Sequence, residues 1–382
     1  MQTNIQRDPL NPYPWFRLMR DTQPVAYNNE MQCWEIFRYD DVLYTLNTPE
    51  MFSSDIFSSF ADKTPLDKSV IFLDPPRHKL IRSLVAQTFS PKRLANFAPQ
   101  ISKIVNNLLN EVSAFGKMDV ITDFANQVPM IVISELLGVS PEDRTDFLRW
   151  SDTTISNSQT GRLTTVPEMN TYFYTVINEH RKNPKDDVIS TLIQSHVEGQ
   201  ALTDDEILGF CELLLVAGYE TTVHLLGNLF WFLDEFPETQ IEIWRNSDVI
   251  PNMIEETLRY RAPISIQTRI AVNNTELQGQ QILKGQVVMP SLASGNRDER
   301  HFSDPDNFNL YRFKNKTPDH LSFGFRGIHF CLGAPLARLE AKVVLECCRN
   351  RLVNIQRDRS IILEPISLYG GLKHLPISFK MQ

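Results

Sequence analysis

The sequence is poor in cysteine and has no long uninterrupted hydrophobic run. Its five cysteines are an odd number without paired spacing, which argues against a disulfide framework, and no C-x-x-C pair or histidine cluster indicates a zinc site. The most apolar stretch, residues 210–233, predicts a buried helix and not a membrane span, because four polar residues interrupt it: Glu212, Glu220, His224 and Asn228. The first residues lack the apolar core of a signal peptide or membrane anchor, so we expect a cytoplasmic protein.

The sequence also lacks an excess of positive charge. The formal net charge is −8, which disfavours binding to nucleic acid through a broad basic face. No tandem repeat, low-complexity tract or Gly/Ser linker is present, and 42% hydrophobic residues is an ordinary globular composition. The 382 residues suffice for two conventional domains or for one large fold around a buried cofactor.

Helical patterning dominates from about residue 74 to residue 234. The longest predicted helix begins at Thr203, where Thr203 and Glu206 form a capping box, and continues to Phe236, just before Pro237. At 1.5 Å per residue this helix would span roughly 50 Å, enough to cross a whole domain.

Strand-like patterns are concentrated in two other regions. Residues 268–272, 275–277 and 286–290 alternate or carry β-branched side chains, and residues 24–27 and 33–37 form a plausible N-terminal pair. Helices and strands are thus segregated along the chain, which disfavours a doubly wound α/β fold. We predict a mainly α fold with small β-sheets, of the α+β class.

A glycine-rich loop delivers a single cysteine to the start of a helix. The segment 321–340 reads LSFGFRGIHFCLGAPLARLE, and Pro335 suits the first helical turn. Free backbone N–H groups at a helix N-terminus favour a thiolate at Cys331. The residues alone leave a second interpretation open, a buried structural cysteine beside a turn, which is commoner for a lone cysteine.

The surrounding sequence favours the thiolate. Gly327-x-His329-x-Cys331-x-Gly333, followed by Ala-Pro-Leu-Ala-Arg-Leu-Glu, closely resembles the haem-binding signature of bacterial cytochromes P450. The resemblance implies that Cys331 is the axial ligand to the iron of haem b (iron protoporphyrin IX) and that His329 contacts a haem propionate. A thiolate ligand pushes electron density to the iron and favours O–O cleavage.

One position departs from the family pattern. The family places a phenylalanine seven residues before the cysteine, where this sequence has Gly324, and Phe323 lies one residue too early. Either Phe325 moves into the vacated place, or the loop bulges and keeps Phe323 there.

The long helix contains an acid and a hydroxyl within its apolar run. From the residues alone, Glu220 could lie on a solvated edge and Thr221 could bond back to the carbonyl of Ala217. The string resembles the family's acid–alcohol pair. That resemblance implies that Thr221 hydrogen-bonds dioxygen and that Glu220 relays protons from solvent.

Two further sets of charged residues match the family. Glu256 and Arg259 lie one helical turn apart and could be an exposed ion pair, whereas the resemblance implies a buried structural pair. His78 and Arg82 share a helix face at i and i+4, and each could be an ordinary surface residue. The resemblance implies that both hold the haem propionates, together with Arg269 and His329, because arginine binds carboxylates at two points.

The resemblance covers nearly the whole chain and implies one domain over residues 1–382. It would consist of a helix-rich part and a smaller β-rich part, at about 20–45 and 265–295, enclosing a buried haem that the loop 321–334 binds. The implied activity is that of a monooxygenase, which inserts one oxygen atom from O2 into a hydrophobic small organic substrate. Candidate pocket residues are Leu214, Ala217, Ile264, Ile266, Leu368 and Tyr369.

The electrons would come from a separate partner, since no flavin or nicotinamide domain is recognisable. We expect a ferredoxin-type donor with its reductase. Opposite charge would steer an acidic ferredoxin to a cluster of Lys79, Lys92, Arg93, Arg326, Arg338 and Lys342. Ordinary solvated helix charges are an equally plausible interpretation of these residues.

Two other functions stay open. One is a peroxygenase of the same fold, driven by hydrogen peroxide, which the intact pair Glu220–Thr221 disfavours. The other is a haem-thiolate sensor without turnover, which a substrate-induced spin shift and an oxygenated product would exclude.

Overall fold

Helices make up most of the fold. The computed structural model describes residues 7–58, 63–89, 94–158, 165–197, 199–366 and 370–382. The helices are α1 (Tyr13–Thr22), α2 (Tyr39–Asn47), α3 (Arg77–Ala86), α4 (Ala98–Ser113), α5 (Gln127–Leu137), α6 (Arg144–Ser158), α7 (Pro167–Lys182), α8 (Val188–Gln194), α9 (Asp204–Leu213), α10 (Tyr219–Glu235), α11 (Pro237–Arg245), α12 (Ile250–Tyr260), α13 (Leu292–Gly295) and α14 (Ala334–Arg349). The strands are β1 (Val25–Asn28), β2 (Cys33–Ile36), β3 (Phe52–Ser53), β4 (Lys117–Asp119), β5 (His196–Val197), β6 (Gln200–Ala201), β7 (Arg269–Ala271), β8 (Thr275–Leu277), β9 (Gln280–Ile282), β10 (Val287–Pro290), β11 (Leu352–Arg357) and β12 (Pro376–Met381).

The long central helix forms largely as predicted. Thr203 and Glu206 form the capping box, and the helical segment ends at Glu235. A π-helical turn, Leu214–Gly218, separates α9 from α10 and was not predicted. Nearly every residue of α10 up to Asp234 is buried, as expected for a helix that is apolar on all sides.

Two helical stretches are long and apolar enough to cross a membrane by length and composition alone. They are Val120–Leu137 and Asp204–Glu235, and about two thirds of each segment is buried inside the protein. This burial is what the core helices of a folded domain show, and it agrees with the interpretation of residues 210–233 as a buried helix.

The helical core forms where the apolar faces of amphipathic helices pack against each other. In α4, Ile101, Val105 and Leu109 are completely buried, at the spacing of one helix face, and this helix packs against α14. The contact fixes α14, and with it the cysteine loop that immediately precedes this helix.

The largest sheet has the strand order β1-β2-β10-β7-β3. It joins the two predicted β-rich regions, because β10 pairs in parallel with β2, with Val287 opposite Cys33. A second sheet, β11-β12-β4, was not predicted. Its strands come from separate parts of the chain and are not joined by tight turns, so no local turn signal indicates the pairing. The prediction of a mainly α fold with small sheets is confirmed.

Candidate active site

The cysteine loop doubles back on itself before α14. Gly324 and Arg326 both have a positive φ, of 73° and 58°, and this left-handed backbone returns the chain toward Leu321–Phe323. The N–H of Cys331 donates to the carbonyl of Phe323 at 2.8 Å. The loop therefore places Cys331 three residues before the first residue of α14.

The loop bulges after Phe323 and keeps this residue hydrogen-bonded, through its backbone carbonyl, to Cys331. The ring of Phe323 lies 6.4 Å from the ring of Phe330, and the Arg338 guanidinium stands 4.5 Å above its face. Phe325 instead packs against the second hydrophobic cluster, around Phe302 and Leu321. Of the two alternatives, the bulge is thus the one that the structure adopts.

Cys331 is exposed and is not part of a disulfide. Its side chain is accessible, although desolvation by the surrounding protein raises the pKa of the thiol above its ordinary value. The backbone N–H groups of Gly333 and Ala334, and the charges of Arg82 and Arg338, act in the opposite direction. These groups can stabilise a thiolate once a cation binds the sulfur.

Imidazole and guanidinium groups gather beside this sulfur. The rings of His78 and His329 lie 4.3 Å apart, and Arg82 donates from Nη2 to the carbonyl of Phe330 at 2.5 Å. The positive charge of Arg82 is close enough to influence the pKa of Cys331. Burial lowers the pKa of His78 to about 4 and that of His329 to about 3, so both imidazoles are neutral near pH 7.

Arg269, on β7, completes this group. Its guanidinium is 6% exposed, and burial lowers its pKa to about 10. Its charge contributes to the low pKa of His329, which places the two side chains near each other. Residues 78, 82, 269 and 329, which are far apart in sequence, therefore converge.

Ser54 belongs to the same group and was not predicted. Its Oγ lies 3.0 Å from Nε2 of His329, and its backbone N–H donates to Asp74 at 3.0 Å. No pattern in the segment around residue 54 marks this serine, because its contact with His329 joins residues that are 275 positions apart in sequence.

These residues fit a haem. Both ring nitrogens of His78 are buried and have no hydrogen-bond partner in the described part of the chain. Among the described residues, Arg82 and Arg269 donate to backbone carbonyls and form no ion pair with a carboxylate. Buried donors without an anion would be costly unless a ligand supplied acceptors, and two propionate carboxylates beside an iron bound to Cys331 would do so.

The acid–hydroxyl pair lies at the start of α10, directly after the π-helical turn. The Thr221 hydroxyl donates to the carbonyl of Ala217 at 2.7 Å, which is the local contact expected from the residues alone. Glu220, by contrast, is only 8% exposed and does not lie on a solvated edge. The π-helical turn widens the helix at this point, a feature that is frequent at functional sites.

Glu256 and Arg259 form a completely buried ion pair. Both side chains are inaccessible, and two parallel hydrogen bonds of 2.8 Å join them. Arg312, which was not predicted, also donates to Glu256 from Nε at 3.1 Å. The exposed alternative for this pair is therefore wrong.

The candidate pocket residues are only partly described. Leu214 and Ala217 lie in the π-helical turn, and Ile264 and Ile266 lie between α12 and β7; all four are partly accessible. Leu368 and Tyr369 lie outside the described residues.

The basic residues proposed for partner docking differ in how they are paired. Arg338 is tied to Glu255 by two hydrogen bonds of 2.6 and 2.9 Å, and Lys342 lies 3.2 Å from Glu346. Lys79 and Arg326 are exposed. Lys92 and Arg93 lie outside the described residues.

Comparison with known proteins identifies the family. The family model for cytochrome P450 matches residues 147–352. "Cytochrome P450 109" of Bacillus spizizenii is 37% identical over 98% of this chain and 94% of that protein, and the cyclomarin C epoxidase CymV of Salinispora arenicola is 38% identical over 96% and 95%.

Solved structures give the same result. Substrate-free CYP109E1 from Bacillus megaterium superposes with a TM-score of 0.91 at 37% identity, covering 98% of this chain and all of that one. Its complex with testosterone gives a TM-score of 0.89 at 38% identity, covering 97% and 98%. The chain therefore belongs to the cytochrome P450 family: it binds haem b and is a monooxygenase of small organic substrates.

Proposed function

We propose that Cys331 binds the haem iron and that His78, Arg82, Arg269 and His329 hold the propionates. The observation that carries this proposal is the convergence of buried donors, without an anionic partner among the described residues, beside an accessible sulfur. When bound, the haem supplies the redox chemistry that cleaves dioxygen. The N–H groups of Gly333 and Ala334 donate toward the sulfur and favour its thiolate form.

We further propose that Glu220 and Thr221 deliver the protons that this chemistry consumes. Glu220 is 8% exposed, so burial keeps bulk water away from its carboxyl group, and in this role the carboxyl would pass on a proton from one of its oxygens. The Thr221 hydroxyl donates to Ala217, which leaves its oxygen lone pairs able to accept a hydrogen bond.

The substrate pocket is proposed to hold a hydrophobic molecule of about steroid size. Its proposed walls are Leu214, Ala217, Ile264, Ile266, Leu368 and Tyr369. The testosterone complex of CYP109E1 supports that size.

Replacing Glu220 by glutamine tests the proton-delivery role. We expect formation of oxygenated testosterone to fall by roughly a hundredfold, because a general acid contributes at least this factor and glutamine has no acidic proton. Product formed under ¹⁸O2 is measured by mass spectrometry, and hydrogen peroxide is measured in the same reactions. A variant that keeps wild-type product yield would contradict the role of Glu220, and a wild-type enzyme without oxygenated product would reject testosterone as a substrate.

We propose that a ferredoxin supplies the electrons and docks on a basic surface comprising Lys79 and Arg326. Arg326 supports this location because it is exposed and lies in the loop that carries Cys331. Arg338 is a poor probe of docking, since its charge is compensated by Glu255. The five cysteines, none of which is in a disulfide, support a cytoplasmic location.

Arg326→Glu is expected to slow reduction of the enzyme by an acidic ferredoxin about tenfold at low salt, because electrostatic steering raises association rates by at least this factor. The difference should shrink as salt is added. Stopped-flow reduction with an acidic plant-type ferredoxin at several salt concentrations measures the difference. Lys284→Glu is the control, an exposed lysine on the turn between β9 and β10. Equal slowing by both variants would remove the argument for this surface.

A further inference from the structure

His224 lies on α10, one helical turn after Glu220. Its side chain is 1% exposed, so it is enclosed by protein. Nδ1 lies 3.2 Å from the carbonyl oxygen of Pro263, and Nε2 lies 3.9 Å from Oε1 of Glu220. The imidazole therefore bridges the proposed proton-delivery acid and the backbone after α12.

The contact with Pro263 fixes which nitrogen carries the proton. A carbonyl oxygen can only accept a hydrogen bond, so Nδ1 must be the donor. Burial lowers the pKa of His224 to about 4, and the charge of Arg261 acts in the same direction, so the ring is neutral near pH 7. Nε2 is consequently the unprotonated nitrogen, and it faces Glu220.

Neighbouring backbone prevents the ring from turning. A Cβ added to Gly371 would come within 2.0 Å of Cδ2 of His224, so the glycine backbone packs directly on the imidazole. The carbonyl of Pro263 also accepts the N–H of Gly370 at 3.1 Å. Asn228 and Arg261 both donate to the carbonyl of Gly370, at 3.0 and 2.8 Å. The ring orientation is thus set by contacts on several sides.

We propose that His224 is a positioning residue for Glu220, whose protonated carboxyl donates a hydrogen bond to Nε2. A modest rotation of the Glu220 side chain closes the 3.9 Å separation to hydrogen-bond length. The bond holds the carboxyl in its protonated form and in one orientation. This inference rests on the proposed role of Glu220 and adds the residue that poises it.

Two amide variants separate positioning from packing. In His224→Gln, the side-chain oxygen reaches about as far as Nε2 and can accept from Glu220. In His224→Asn, the shorter amide can still donate to Pro263 but cannot reach Glu220. A positioning role therefore requires that glutamine rescues the function better than asparagine, whereas a role in packing against Pro263 requires the reverse.

The deciding measurement is made on the ferric holoenzyme without substrate. The infrared band of the protonated Glu220 carboxyl is assigned by its loss in Glu220→Gln. We expect His224→Gln to keep the band near its wild-type frequency and His224→Asn to raise it, because a free carboxyl absorbs at higher frequency. An unchanged band in His224→Asn, or no Glu220 band at pH 7, would overturn the proposal. So would ¹⁵N NMR that places the proton on Nε2.

Turnover provides the second measurement. Loss of one hydrogen bond corresponds to a change of about tenfold in rate. With testosterone as the probe, we therefore expect kcat to fall by about this factor in His224→Asn and by less in His224→Gln, with KM unchanged. If Glu220→Gln itself leaves product formation unchanged, the proposed function fails while the infrared comparison still decides on His224. If only Glu220→Gln impairs turnover, the inference alone fails. His180→Asn, at a buried histidine paired with Asp187, is the control for destabilisation and should leave the Glu220 band unchanged.

Discussion

Replacing Arg259 by methionine is expected to lower the free energy of unfolding by about 3–5 kcal/mol, because it breaks a buried ion pair. Glu256 then keeps Arg312 as its cationic partner. Besides its two bonds to Glu256, Arg259 donates from Nη1 to the carbonyls of Asn296 and Pro305, each at 2.9 Å. The variant removes all of these donors at once. Since natural domains are stable by only about 5–15 kcal/mol, the loss should reduce the yield of folded holoenzyme.

Two companion variants separate charge from volume. In Arg259→Met with Glu256→Met, the buried carboxylate is removed together with its arginine, and Arg312 keeps its hydrogen bonds to the carbonyls of Ser303, Asp304 and Asn307. Part of the lost stability should therefore return. Arg149→Met is the matched control, because Asp146 and Arg149 have the same i,i+3 spacing but are more than half exposed, at 3.0 Å. That pair should contribute at most about 0.5 kcal/mol. Urea unfolding followed by tryptophan fluorescence measures all variants, and equal losses for Arg149→Met and Arg259→Met would contradict the assigned burial.

The two ion pairs also show how far the sequence can predict this structure. Both have an acid three residues before an arginine, and helical spacing predicts both contacts equally well. What differs is the covering layer: the carbonyls of Asn296, Pro305 and Asn307 accept from Arg259 and have no counterpart at Arg149 among the described contacts. That layer comes from residues about 40 positions further along the chain, so local pattern cannot predict the burial.

The candidate site also has one part that the sequence predicts and another part that it does not. Cys331, His329 and the start of α14 follow from one continuous segment, and the capping box at Thr203 follows from four residues. The π-helical turn at Leu214–Gly218 shifts the helix phase without changing the apolar composition, so periodicity does not reveal it. The bulge after Phe323 depends on a left-handed Arg326, a conformation that arginine rarely adopts and that only the packed loop selects.

Replacing Cys331 by serine is expected to abolish oxygen insertion while leaving the protein folded. The hydrogen bonds that shape the loop, from the N–H of Cys331 to Phe323 and from the N–H of Ala334 to the carbonyl of Cys331, are made by backbone atoms. Serine preserves both. Its hydroxyl is far less acidic than a thiol, so it does not supply the anionic sulfur that favours O–O cleavage.

The loss should be at least as large as the roughly hundredfold loss expected for Glu220→Gln, because removing the thiolate affects the bond-breaking step itself. The reduced carbonyl complex should lose the absorption typical of thiolate ligation, and the urea midpoint of the haem-free protein should stay near that of wild type. Cys347→Ser is the matched control: this cysteine is buried in α14 and contacts Ser102 at 3.5 Å, so it should change stability and not the spectrum. A wild-type spectrum in Cys331→Ser would mean that another residue binds the iron, and the assignment of Cys331 as the haem ligand would then be wrong.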